Sequence, residues 1–344
     1  MSLKITGQLP AGKYKEKIEQ SPHYKNGSFQ NLSPTPMKPE GLSYWKMMRT
    51  FFKKHPDTAP AVPVPFIKTD LHQLHTPEPV LVWFGHSSYL LRINGKNFLI
   101  DPVFSGNAAP LSFMVKAFPG SNAYQASDMP EIDYLILTHD HYDHLDYQTI
   151  LRLRKKIKAV YCSLGIGAHL RYWGFDPTII TEMDWWQEEQ LNEGLKLTAA
   201  PARHFSGRGL KRGQSLWSSF ILQTKQHSIY LGGDSGYDTH FKEIGDRFGP
   251  FDLAILEAGQ YNVMWPLIHM MPEQTVQAAS DLRAKALLPV HWGKFRLSTH
   301  PWNEPVKRVL LHAGEAGLPV HTPRIGELLQ LEGKILTGNW WEMG

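Results

Sequence analysis

Residues 133–144 read Asp-Tyr-Leu-Ile-Leu-Thr-His-Asp-His-Tyr-Asp-His, an apolar run that ends in a loop crowded with potential ligands. His139, His141, Asp143 and His144 fall within six residues of one another. Imidazole and carboxylate suit borderline divalent metals such as zinc. They are also more donors than one tetrahedral ion can take from a single tight turn. The natural reading is two ions side by side, with His139 and His141 facing one and Asp143 and His144 the other. The competing reading, a polar surface loop that happens to be rich in His, weakens as the rest of the chain is read.

Three later segments repeat the pattern of an apolar strand ending in a potential ligand. Leu197 to Arg203 leads to His204, Ile229 to Gly233 leads to Asp234, and Ala286 to Val290 leads to His291. Side chains at strand ends converge on one rim of a sheet, and the Gly232-Gly233 pair lets the backbone approach closely. One such His would be unremarkable as a structural residue. Three strand-end ligands behind the 138–144 loop are not a coincidence of composition.

Around these segments, short strands are expected at 80–84, 89–93, 97–101, 133–138 and 158–161, then at 195–202, 218–223, 228–232, 252–256 and 286–290. Helices are expected near 147–156, 165–173, 272–284 and from about 303, followed by a closing strand. Consecutive strands, then strands alternating with helices, indicate an α/β protein with helices packed outside its sheets. Residues 79–344 form the main domain in this reading. Residues 1–78, rich in proline and including Ala59-Pro-Ala-Val-Pro-Val-Pro65, form an N-terminal arm that packs on it. Within the arm, residues 41–54 suggest a short aromatic and basic helix, docked on the body or lying against a lipid surface as a peripheral membrane contact.

The chain has 344 residues, 42% hydrophobic, with a formal charge of +4 and a single cysteine, Cys162. The mild charge permits an anionic substrate, small molecule or lipid, and does not suggest a nucleic-acid binder. One cysteine excludes an intramolecular disulfide, so any metal site must be built from His and carboxylates. The N-terminus lacks the apolar core of a signal peptide, and a cytoplasmic protein is expected. No obligate protein partner is evident.

HxHxDH followed by an isolated His, Asp and His resembles the metallo-β-lactamase superfamily, whose fold is a four-layer αβ/βα sandwich. Further motifs resemble its N-acyl-phosphatidylethanolamine-hydrolysing phospholipase D family: Trp83-Phe-Gly-His-Ser87, Asp101-Pro-Val-Phe104, His141-Tyr-Asp-His-Leu-Asp146, Asp184-Trp-Trp186, Arg247-Phe-Gly-Pro-Phe-Asp252 and Val290-His-Trp-Gly293. The likeness runs from about residue 80 to 325, while Arg203 to Gly209 looks more like uncharacterised bacterial relatives. The resemblance implies one metal on His139, His141 and His204, a second on Asp143, His144 and His291, and Asp234 between them. It implies two divalent ions, zinc by preference, although manganese, iron and nickel accept the same donors. It further implies that a hydroxide bridging the ions attacks the substrate, in a phosphodiesterase of phospholipase D type acting on a lipid-like or other anionic ester.

Asp143 and His269 are the candidate catalytic residues beyond pure ligation; His269 resembles a family His near the substrate, although Ile268 replaces the family's Gln before it. Asp101, at a strand end, is a candidate acceptor for a ligand imidazole. His86 is a weaker candidate for catalysis, with an equally good structural role, and Arg203 and Arg208, which flank His204, are candidates to reach a phosphate against the commoner outcome of an exposed Arg. The same metal centre would also serve a lactone, thioester or amide hydrolase. A non-catalytic metal-binding regulator would usually have lost ligands, and here all seven are present.

Overall fold

In a computed structural model, the protein is described over residues 4–342, apart from residues 37, 40, 42, 44, 46–48, 50–55 and 75. The helix expected over 41–54 falls largely outside the described residues.

Two sheets stack face to face. The first has seven strands: β3 (Val80–Trp83), β4 (Tyr89–Ile93), β5 (Lys96–Ile100), β6 (Ile132–Leu137), β7 (Ile157–Ser163), β8 (Ile180–Met183) and β15 (Leu328–Gln330), in the order β15-β3-β4-β5-β6-β7-β8. The second has six: β9 (Glu188–Asn192), β10 (Leu195–Pro201), β11 (Ser218–Thr224), β12 (Ser228–Leu231), β13 (Leu253–Glu257) and β14 (Leu287–Val290), in the order β14-β13-β12-β11-β10-β9. The strands read as almost continuous apolar runs because each sheet is covered on both faces. Alternation then sorts the side chains. Leu81, Trp83, Tyr134 and Ile136 meet Leu197, Phe220, Leu222 and Ile255 in the core between the sheets.

The opposite faces carry helices. Val82, Leu135, Leu137 and Val160 pack against α2 (Tyr147–Leu153) and α3 (Gly167–Tyr172), through Ile150, Leu153 and Leu170. Ile221, Tyr230, Ala254 and Leu256 pack against α4 (His240–Phe248), α5 (Pro272–Asp281) and α6 (Glu304–Ala316). The layers are therefore αβ/βα, with helices on both outer faces.

Ahead of the sandwich lie α1 (Lys13–Glu19) and a two-stranded hairpin of β1 (Tyr24–Lys25) and β2 (Ser28–Phe29). Further along, the Val64 amide donates to Pro119 O and Ile67 to Ile325 O. At the other end of the chain, Trp340 and Trp341 close the inter-sheet core against Trp83, Trp292 and Trp302. No helix among the described residues is long and apolar enough to cross a membrane.

Candidate metal centre

The parallel strands β6, β12, β13 and β14 and the antiparallel β10 end on one rim, where their last residues hand over to loops. β6 runs into Thr138 and the ligand loop. β10 is followed by His204, β12 by Asp234 and β14 by His291. Gly233 makes this convergence possible: it sits at φ 63°, and a Cβ there would lie 2.9 Å from the Thr138 Cβ.

His139 Nε2 lies 3.0 Å from His141 Nδ1, and His204 Nε2 lies 3.2 Å from the same atom. A tetrahedral zinc with nitrogen ligands holds its donors roughly 3.3 Å apart. Asp143, His144 and His291, together with His86, offer a second set of ligand atoms within 4.8 Å of one another. Asp234 lies between the sets. Its Oδ2 is 3.7 Å from His139 Nε2 and from His204 Nε2, and 3.2 Å from His144 Nε2, while Oδ1 is 3.1 Å from His291 Nδ1.

A further contact orients four of the five ligand rings, as metal-binding imidazoles normally require. Asp101 accepts from Thr138 N through Oδ1 at 2.9 Å, and its Oδ2 lies 2.8 Å from His144 Nδ1. His139 Nδ1 meets Thr138 Oγ1, His204 Nδ1 meets Ile268 O, and His291 Nδ1 meets Ser87 Oγ. His86 Nε2 bonds Asp143 Oδ2 at 2.9 Å, so this buried residue reaches the site through that carboxylate.

The electrostatics fit a dication. Burial holds His139, His141, His204 and His291 below the usual imidazole range, hence neutral, which is the ligating form. His144 is the exception: Asp234 and Asp143 outweigh burial and raise it. A positive charge is thus drawn to the space between these two carboxylates. Beyond the approaches of Asp234 to His144 and His291, the buried His144 Nε2 and Asp234 Oδ1 have no hydrogen-bond partner among the described residues, an arrangement that coordination would satisfy. The donor set fits divalent metal.

The remaining candidates divide. His269 stands over the centre, its ring 5.1 Å from that of His204 and 5.2 Å from that of His291. Its Nδ1 is 2.6 Å from Glu257 Oε2. Glu257, at the end of β13, went unrecognised in the sequence, although it follows the same rule of a ligand-type residue closing an apolar strand. Asp234, Glu257, His269 and His291 also form a third group of donors within 4.8 Å. Arg203 and Arg208 do other work. Arg203 donates to Thr35 Oγ1, Pro34 O and Tyr237 O. Arg208 is buried and donates to Asp140 O, Leu145 O and Ile5 O, bracing the ligand loop from behind.

A cavity of about 280 Å³ adjoins His204 and Phe205, walled by Ser28–Asn31, Ser33–Thr35, Arg212 and Trp217. A larger one, about 940 Å³, lies among residues 57–65, 301–308, Trp340 and Trp341 and contains none of the candidate ligands.

A two-sheet αβ/βα sandwich with His and Asp donors gathered on one rim defines a class, the metal-dependent hydrolases. Comparison with known proteins narrows it. The family profile described as a beta-lactamase superfamily domain matches residues 96–292, and the chain belongs to the metallo-β-lactamase superfamily. An uncharacterized protein of Mycobacterium tuberculosis is 39% identical over 334 residues, covering 94% of this chain and 88% of that protein. The mitochondrial N-acyl-phosphatidylethanolamine-hydrolyzing phospholipase D of Saccharomyces cerevisiae is 30% identical over 299 residues, covering 79% of this chain and 62% of that enzyme. Among solved structures, Igni18, a metallo hydrolase from Ignicoccus hospitalis, matches with a TM-score of 0.58 at 20% identity over 74% of this chain and 99% of its own. At that identity the match speaks for the fold alone.

Proposed function

We propose that the protein is a binuclear hydrolase that cleaves a phosphodiester in a lipid-like or other anionic ester. The observation that carries this reading is the arrangement of six donors in two sets around Asp234, whose Oδ2 lies within 3.7 Å of donors from both. Divalent ions bound there supply Lewis-acid polarisation of the ester and an activated water.

The protein's own contribution is positional. Asp101, Thr138, Ser87 and Ile268 O fix the ring orientations, so the donors need little rearrangement. Hydrolysis joins a water oxygen to phosphorus and breaks the bond to the leaving oxygen, which must gain a proton. Glu257 engages His269 Nδ1, which leaves Nε2 to donate it. Burial opposes a charge on His269, but the Glu257 carboxylate outweighs it and raises the imidazole.

A lipid-like or anionic substrate is supported by the loops that leave the site. Residues 102–127, 205–214 and 258–271 contain no Asp or Glu, and they carry Lys116, Lys211 and Arg212. They also expose Leu111, Phe113, Met114, Leu210 and Val263. Apolar tips beside cations match an amphiphile with a negative head group.

The test is a comparison of the zinc- and manganese-loaded protein on bis(p-nitrophenyl) phosphate, N-acyl-phosphatidylethanolamine in mixed micelles and a lactone panel. Phosphodiester cleavage that disappears with chelator and in Asp234→Ala is expected. Lactone hydrolysis alone, or no turnover of any substrate by protein holding two ions, overturns the proposal.

A further inference from the structure

We infer that Asn31, far from the ligand loop in sequence, is a positioning residue of the metal centre, setting His204 through its backbone. The inference rests on the reading of His139, His141 and His204 as a metal site.

β10 pairs with β11 only as far as Pro201↔Ser218. His204 lies three residues beyond, where the ladder has ended and its backbone groups need partners from elsewhere. Asn31 supplies them. Its Nδ2 donates to His204 O at 2.8 Å, and its Oδ1 accepts from His204 N at 3.0 Å. The side-chain amide thus pairs with one residue through both of its backbone groups, as a neighbouring strand would. The Trp217 indole Nε1 donates to the same Oδ1 at 3.0 Å and so orients the amide.

The support is local and directed. β2 places Asn31: the Phe29 amide donates to Gly213 O at 2.8 Å, which docks the hairpin on the loop that follows His204. Thr35 and Pro34 O receive Arg203, so both residues around the turn into the site are held by residues 31–35. On the imidazole, Nδ1 meets Ile268 O and Nε2 faces His141. Ring and backbone together leave His204 one position.

Only an amide fits this role. Aspartate keeps the acceptor for His204 N but puts a second oxygen against His204 O, and alanine removes both bonds. The effect should fall on the His139, His141 and His204 site and spare the one built from Asp143, His144 and His291.

The experiment is a competition titration of zinc against a chromogenic chelator, with wild type, Asn31→Ala, Asn31→Asp and His291→Ala compared. Metal-free thermal unfolding is followed in parallel. Wild type should bind two ions. Asn31→Ala and Asn31→Asp should weaken one of them by about 10-fold or more, the scale for partners that orient a ligand, and leave the other unchanged. His291→Ala should weaken the other, which identifies the two steps. Wild-type affinity at both steps in Asn31→Ala overturns the inference and leaves the metal centre standing. Equal weakening of both ions, with a matching fall in metal-free stability, overturns it in favour of a general folding role. A wild type that binds no metal ends both readings.

Discussion

At the scale of single residues, the site rests on pairs that are close in space and distant in the chain. His269 and Glu257 are one such pair, with Nδ1 and Oε2 2.6 Å apart. His269→Ala should lower kcat by about 100-fold, the lower end for a positioned proton donor, with two ions still bound; the paired measurement of turnover and metal content decides it. Lys294 is another buried group with a definite consequence. It is 1% exposed, with Nζ donating to Phe84 O and Val103 O, which ties together the strand ends around His86 and Asp101. Burial lowers it to about 7, against a weaker upward pull from Asp146. Lysine in the unfolded chain titrates near ~10.4. Between these values the unfolded chain binds the extra proton, so stability rises with pH, by at most about 1.4 kcal/mol per unit. Urea midpoints measured across that range should rise in wild type and lose this component in Lys294→Met. His139, His141, Asp143 and His144 were legible because they crowd one loop, and His204, Asp234 and His291 because each ends an apolar run. Asn31 and Lys294 carried no such signal, since an amide in a polar stretch and a lysine near Gly293 acquire their meaning only from tertiary contacts.

At the scale of elements, the central strands were readable because burial on both faces makes them apolar throughout. β8 and β9 were not. Each lies at one edge of its sheet, and β9 reads Glu-Glu-Gln-Leu-Asn, with its first three residues exposed, unlike the buried, apolar edge strand β14. Charged, polar edges protect a sheet from further pairing and erase the alternation that would announce a strand. α4 also escaped notice, because its apolar stripe is only Phe241, Ile244 and Phe248 among charged residues. Its place depends on Gly245, where an added Cβ would lie 2.0 Å from Asp281 O at the end of α5. Gly245→Ala must therefore push α4 from α5, at a cost of about 1–3 kcal/mol. Thermal unfolding should show a midpoint lower by roughly 2–4 °C for a chain of this size. Zinc stoichiometry should stay at the wild-type value, because α4 covers the outer face of the sheet and not its rim; a loss of metal would contradict that separation.

At the scale of the whole molecule, the metal centre belongs to neither sheet. His139, His141, Asp143 and His144 follow β6 of the seven-stranded sheet, whereas His204, Asp234 and His291 follow β10, β12 and β14 of the six-stranded one. Each proposed ion takes donors from both, so binding clamps the two halves at their common rim. Without ions, Asp143 and Asp234 stay buried and depend on a charged His144 for compensation. The folded state then loses a stabilising ligand at a place that the inter-sheet core of Trp83, Phe220 and Ile255 does not replace. Free ion at 1,000 times its dissociation constant stabilises a folded protein by about 4 kcal/mol per site. For a chain of this length that corresponds to roughly 6 °C in midpoint per ion. Chelation should therefore lower the unfolding temperature by about that amount for each ion, in two steps if the affinities differ, and stoichiometric zinc should restore it. Asp234→Asn, which weakens the residue facing both sets, should lessen both steps. Calorimetric scans that show no change on chelation would mean that the rim is held by packing alone.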